Sequence, residues 1–210
     1  MIKILIADDH PIVRQGLKSI ITCAEDMTVE GEAGNAEEIQ QLVRKKQFDV
    51  LLLDISMPGQ NGLEVLKYFK SINSNIKILV LSIYPTERYA MRALFNGASG
   101  YLTKDAATEE LISAIRKVSQ GGRYVSTELA DILAADLFSD VSKPLCQNLS
   151  DREFEIMCLI GSGKRLKDIA SELSLSIKTI STYRKRVLNK LRMKNNSELM
   201  HYVINNKLLE

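Results

Sequence analysis

Tryptophan is absent from the 210-residue chain, histidine occurs twice and cysteine three times. Cys23, Cys146 and Cys158 form no C-x-x-C pair, and neither His10 nor His201 stands near enough in sequence to complete a zinc set. An odd number of widely spaced cysteines reads as reduced, mostly buried thiols of a cytosolic protein. No apolar run approaches the ~20 residues that a bilayer crossing needs. At the start of the chain Asp8-Asp9 falls where a secretory signal would continue its apolar stretch. A membrane span and secretion are therefore not expected. Internal repeats and low-complexity segments are lacking too. The first apolar run is followed by Asp8-Asp9-His10-Pro11 rather than by G-x-G-x-x-G, and no G-x-x-x-x-G-K-[ST] occurs anywhere. Dinucleotide-binding and P-loop readings lose their phosphate-cradling glycines.

What is present is an apolar content of 45%, sufficient for a real core in one large domain or two modest ones. The charge is unevenly spread. Residues 149–210 hold 12 Lys and Arg against 7 Asp and Glu, whereas residues 1–148 hold 16 against 19. No acid occurs between Leu173 and Ser197, a stretch that carries Lys178, Arg184, Lys185, Arg186, Lys190, Arg192 and Lys194. A mildly acidic front and a basic tail suggest two domains with different partners.

Short apolar runs at 2–7, 29–33, 50–53, 76–81 and 100–102 alternate with helical patterns at 12–23, 36–46, 62–71, 86–96 and 108–120. In the last of these, Leu111, Ile112, Ile115 and Val118 recur at helical spacing. Runs of Val, Ile and Leu without alternation suit strands buried on both faces. Five βα units in series predict a doubly wound parallel sheet, an α/β, flavodoxin-like (βα)5 domain over residues 1–122. Gly121-Gly122 ends the fifth helix. Residues 123–148 read as a linker, with a helix over 126–138 and a polar stretch after it. From Leu149 the pattern is helical only, at 150–160, 166–173, 177–191 and 197–206, an all-α domain over 149–210.

Ligands of an open parallel sheet gather at the carboxyl ends of its strands. Asp8 and Asp9 follow the first run, Asp54 the third, Ser82 the fourth and Lys104 the fifth. Three carboxylates in one crevice repel one another unless a cation relieves them. Hard oxygen ligands with open positions suit Mg²⁺, which favours phosphate as a co-ligand. Lys104 offers a point charge to a phosphoryl oxygen and Ser82 a hydroxyl donor. The chemistry indicated is phosphoryl transfer to Asp54 with Mg²⁺ bound.

Asp8-Asp9, the segment Asp54-Ile55-Ser56-Met57-Pro58-Gly59-Gln60-Asn61-Gly62, and Ser82, Tyr101 and Lys104 together resemble the receiver domain of two-component response regulators. The resemblance implies Asp54 as phosphoacceptor, Asp9 as a direct Mg²⁺ ligand, Asp8 near the metal through water, and the Ser56 backbone carbonyl as a further metal contact. It implies Ser82 and Tyr101 as a switch pair in which the hydroxyl meets the phosphoryl group and the ring turns inward. Lys104-Asp105 departs from the Lys-Pro of many receivers. A rival is an aspartyl-phosphate phosphatase of the haloacid dehalogenase type, which places a second Asp two residues after its nucleophile. Ser56 stands there and disfavours it. The protein is accordingly expected not to be an enzyme, beyond weak autodephosphorylation.

In the tail, Leu166, Ile169, Ala170 and Leu173 give one helix a buried stripe, and Ile177, Ile180, Val187, Leu188 and Leu191 give the next one its own. Ser176 is placed to cap the second helix. Its other face presents Lys178, Ser181, Thr182, Lys185 and Asn189, side chains suited to the ~12 Å major groove. Arg184, Arg186 and Lys190 flank them, within reach of phosphates. Leu149-Ser150-Asp151-Arg152-Glu153, Ile169-Ala170-Ser171-Glu172-Leu173 and Ser176-Ile177-Lys178-Thr179-Ile180 resemble the four-helix DNA-binding domain of the LuxR/FixJ/NarL class. That resemblance implies Ser181, Thr182 and Lys185 as base-edge readers and Lys178, Thr179, Arg184 and Arg186 as backbone contacts. Tyr183 replaces the usual His. The last helix, with Leu199, Met200, Val203 and Ile204, is either core or a dimer face. The expected partners are a sensor histidine kinase, double-stranded promoter DNA and a second copy of the chain when phosphorylated, in the cytoplasm and without a membrane. His10 reads as a loop side chain rather than a catalytic base.

Overall fold

The computed structural model describes residues 1–57, 62–72, 74–82, 86–106, 108–126, 129–130, 148–206 and 208, with the backbone alone for 86–88. The chain forms two compact units, Met1–Leu137 and Phe138–Glu210. In the first, β1 (Ile2–Ala7), α1 (Pro11–Thr22), β2 (Met27–Ala33), α2 (Ala36–Lys45), β3 (Val50–Asp54), α3 (Gly62–Ser71), β4 (Lys77–Ser82), α4 (Thr86–Phe95), β5 (Gly100–Thr103) and α5 (Thr108–Ser119) follow one another. The sheet is parallel throughout, in the order β2-β1-β3-β4-β5.

The unbroken apolar runs occupy the middle of this sheet, where both faces are covered. Ile4, Ile6, Val50, Leu52, Leu79, Leu81 and Leu102 pack with Ile21 of α1 and with Leu111, Ala114, Ile115 and Val118 of α5. Alternation along the strands sends Leu5, Leu51, Leu53, Val80 and Tyr101, all buried, to the opposite face. β2 departs from the expectation of burial on both faces. It is an edge strand whose exposure alternates, and it slips register against β1 between Ile4 and Leu5. Met27 adds two residues to its predicted start. Cys23 caps the C-terminus of α1 and is exposed, contrary to expectation, because a helix-end side chain lies off the buried stripe; Cys158 is buried, and Cys146 lies outside the described residues.

At the other edge, the chain leaving α5 turns back onto β5. The Tyr124 N–H donates to the Ser99 carbonyl at 2.9 Å, and Tyr124 forms a parallel bridge with Gly100. A Cβ at Gly100 would sit 2.8 Å from that of Tyr124, so the backbones can meet only at glycine. The Tyr124 hydroxyl donates to Glu110 Oε1 at 2.8 Å. Of the linker helix expected over 126–138, Ser126 is not helical, Leu129 and Ala130 are, and 127–128 and 131–138 lie outside the described residues.

The second unit holds α6 (Asp151–Gly161), α7 (Leu166–Glu172), α8 (Ile177–Lys190) and α9 (Asn196–Asn205). Ser150 and Glu153 cap α6 reciprocally, and Ser176 and Asn195 cap α8 and α9. Ile180, Val187, Leu188 and Leu191 are buried as the period predicts. Ile177 is 51% exposed, because a first-turn side chain has no earlier turn of its own helix against which to pack, and Leu166 at the start of α7 is only half-buried. Leu199 and Val203 belong to the core, whereas Ile204 is exposed.

Candidate functional site

Pairing of Ala7 with Leu53, Asp54 with Leu81 and Ser82 with Thr103 brings four strand ends to one level. Asp8 and Asp9 continue β1, and Lys104 continues β5. The Lys104 N–H donates to the Ser82 carbonyl at 2.8 Å, which holds the lysine loop against β4. The Lys104 ammonium then reaches back between two carboxylates, 2.6 Å from Asp8 Oδ2 and 2.8 Å from Asp54 Oδ2. Asp54 Oδ1 accepts the Ser56 N–H at 3.1 Å, and Asp8 Oδ1 accepts the His10 N–H at 2.8 Å. Asp8, Asp54 and Ser82 are all buried.

These contacts set the electrostatics. Burial pushes the Asp54 carboxyl above its usual range, against the pull of Lys104 and the Ser56 N–H. Burial would depress the Lys104 ammonium, but Asp54 and Asp8 outweigh it and hold its pKa above the ordinary value. The Tyr101 phenol, fully buried, is driven upward by desolvation although it shares a hydrogen bond with the Ser82 side chain. The two hydroxyl-bearing residues of the predicted switch pair are therefore in contact, with the ring inside.

The donor set suits a divalent cation. Asp8, Asp9, His10 and Asp54 each offer one ligand atom within 4.8 Å of the others. Three carboxylates against one ammonium leave an excess of negative charge. Asp9 Oδ1 is buried without a hydrogen bond, and so is Ser56 Oγ, polar atoms of the kind that an ion and its ligands satisfy.

In the second unit, α7, a tight turn and α8 form a helix-turn-helix. Ser174 adopts a left-handed conformation at φ 52°, and the Leu175 N–H closes the turn onto the Ala170 carbonyl at 2.8 Å. Ser176 Oγ accepts the Thr179 N–H at 3.0 Å and lies 2.8 Å from the Thr179 hydroxyl. Lys178, Ser181, Thr182, Lys185, Arg186 and Asn189 are exposed on α8. Besides Thr179, two further expected contact residues are hydrogen-bonded within the domain. The Thr182 hydroxyl donates to the Lys178 carbonyl, and half-buried Arg184 donates from Nε to Asn196 Oδ1 at the start of α9. Lys190 is bound to Glu153 at 2.6 Å, which ties α8 to α6. The Arg186 guanidinium stands 5.8 Å from the Tyr183 ring centre.

Two family models match the chain, the response regulator receiver domain over residues 4–116 and the luxR family of bacterial regulatory proteins over 147–203. The response regulator UvrY of Escherichia coli K12 is 35% identical over 209 residues, covering 99% of this chain and 96% of the relative. The oxygen regulatory protein NreC of Staphylococcus epidermidis is 39% identical over 217 residues, with 99% of each covered. The chain belongs to the LuxR family of response regulators. Among solved structures, RcsB from Salmonella enterica serovar Typhimurium, bound to promoter rprA with the phosphomimetic BeF3⁻, matches at TM-score 0.67 and 28% identity, covering 97% of this chain and 98% of that one. In this response regulator the receiver is the parallel α/β unit, and the LuxR-type DNA-binding domain is the helical one.

Two receiver residues were missed by the strand-end pattern. The His10 imidazole lies 2.8 Å from Asp9 Oδ1. Arg14, one turn into α1, donates from Nη1 to the Asp8 carbonyl at 2.7 Å. Neither stands directly at a strand end, and only the chain reversal after Asp9 brings both to the crevice. Among the described residues no helix is long and apolar enough to cross a membrane.

Proposed function

We propose that Asp54 accepts a phosphoryl group from a sensor histidine kinase and that the modification gates dimerisation and binding to promoter DNA. The observation that carries this reading is the Lys104 ammonium bridging buried Asp54 and Asp8 at the carboxyl ends of the strands. An Asp54 oxygen forms the new bond to phosphorus as the bond from phosphorus to the donor's histidine nitrogen breaks, and that nitrogen keeps the electron pair. Lys104 exchanges a carboxylate for a phosphoryl oxygen, and the Ser82 hydroxyl leaves Tyr101 to donate to another. Asp8, Asp9, Asp54 and the Ser56 carbonyl would hold Mg²⁺, which when bound neutralises charge on the phosphoryl oxygens. Catalysis is limited to weak autodephosphorylation, since no second carboxylate stands two residues beyond Asp54 to serve as a general acid.

On the DNA side, Ser181, Thr182 and Lys185 read base edges, while Lys178, Thr179, Arg184 and Arg186 meet the backbone. The exposure of this face, apart from half-buried Thr179 and Arg184, supports the assignment. Domain bounds of 1–122 and 149–210 joined by 123–148, a homodimer on paired half-sites, and action in the cytoplasm complete the reading.

Intact mass after incubation with acetyl phosphate and Mg²⁺ tests it. One added phosphoryl group on the wild type and none on Asp54→Asn is the expected result. An adduct on both proteins would place the acceptor elsewhere. Steady phosphate release without an adduct would point instead to a phosphatase.

A further inference from the structure

His10 stands in the receiver crevice in a position that its neighbours' roles do not explain. It is the N-cap of α1 yet makes no side-chain cap, and Pro11 follows it at the first helical position. Its N–H is taken by Asp8 Oδ1, and this short turn folds the chain back so that the imidazole comes over the carboxylates. Nδ1 lies 2.8 Å from Asp9 Oδ1 and 3.4 Å from Asp8 Oδ1. The closer approach does not make a hydrogen bond, for Asp9 Oδ1 is buried without one. Adjacent ligands of an octahedral ion, at metal distances near 2.1 Å, stand about 3 Å apart. Nδ1 stands near that spacing from each of the two aspartate oxygens, and all the candidate ligand atoms lie within 4.8 Å of one another. The His10 side chain remains 67% exposed, so the outer side of the cluster is open to water or to a phosphoryl oxygen.

We propose that His10 Nδ1 is a ligand of the divalent ion in the receiver, which makes the site a mixed carboxylate–imidazole one that favours Co²⁺, Ni²⁺ or Zn²⁺ over Mg²⁺ relative to an all-oxygen site. The proposal rests on the metal-site reading given above. Its chemistry is that of ligand softness: carboxylates and carbonyls suit Mg²⁺, whereas imidazole suits the later first-row ions, whose affinities also rise along the series. Asp8, Asp9 and Asp54 supply the charge that any divalent ion needs, and His10 supplies the discrimination among them.

The test uses the full-length protein stripped with a chelator and titrated calorimetrically with Mg²⁺ and with Co²⁺. Wild type, His10→Gln and Asp9→Asn are compared. Loss of a direct ligand should weaken Co²⁺ binding about tenfold or more in His10→Gln, while Mg²⁺ binding changes far less. Proton NMR of the Co²⁺ complex gives a readout independent of phosphorylation. Coordination through Nδ1 leaves the Nε2 proton in place, and it should appear as a strongly shifted, solvent-exchangeable resonance that His10→Gln lacks and His201→Gln retains. An unchanged Co²⁺-to-Mg²⁺ ratio and spectrum in His10→Gln would overturn the proposal and leave His10 as a charge partner of Asp9. Wild type that binds neither ion, or Asp9→Asn that binds both as tightly as wild type, would overturn the metal-site reading itself.

Discussion

Asp54 carries its charge against the interest of the fold. It is 2% exposed, and burial raises its pKa, so the folded protein resists an ionisation that the unfolded chain undergoes in the ordinary carboxylate range. The resulting loss of stability begins as pH rises through the unfolded value and is complete above the folded one. Asp54→Asn should therefore melt above the wild type at neutral pH, by a gain within the ~0.5–2 kcal/mol usual for relieving functional strain. That gain should shrink as pH falls below the ordinary carboxylate range, and calorimetric melts at several pH values would check both statements. Lys104 keeps Asp8 as a partner in the variant, so no buried cation is stranded. Asp8, Asp9, Asp54, Ser82 and Lys104 could be picked out in advance because a parallel sheet delivers whatever follows each strand to one crevice. His10 and Arg14 could not be, since their places depend on the backbone reversal after Asp9, which no periodicity encodes.

Among the elements, α7 and α8 both end on residues that are not glycine in the left-handed region, Ser174 at φ 52° and Arg192 at φ 57°. The same closure ends α6 at Gly163, where the Lys164 N–H returns to the Leu159 carbonyl. An L side chain in that conformation costs ~1–2 kcal/mol, part of which glycine gives back as unfolded-chain entropy. Ser174→Gly should consequently stabilise the DNA-binding domain by about 0.5 kcal/mol, read as a small rise in the denaturant midpoint with an unchanged slope. If the midpoint falls, the Ser174 side chain has a role that the backbone geometry does not reveal. Strand and helix positions were legible because buried stripes repeat at fixed periods. Element ends were less so. Ile177 falls on the buried stripe by period and is exposed by position, and β2 shows the alternation of an edge strand where continuous burial was expected.

For the molecule as a whole, the charge partition assigns the long-range attraction to nucleic acid to the tail and leaves the receiver and linker together mildly acidic. Phosphate contacts and base contacts should separate in their salt dependence. Arg186→Ala should weaken binding to all duplexes alike and reduce the log–log salt slope by about 1 per protomer. Lys185→Ala should instead lose ~1–3 kcal/mol of discrimination at one base pair. Fluorescence anisotropy on specific and scrambled duplexes over a salt series distinguishes the two, and identical behaviour of the variants would remove the division between readers and anchors. The return of Tyr124 onto Gly100 bears on how the protein is handled when divided. β5 is the last strand of the sheet, and this short return is what pairs with its outer side. A receiver fragment cut at the end of α5 would present bare backbone donors and acceptors to the β5 edge of another copy. A fragment that keeps the first residues of the linker, past Tyr124, retains its own cover.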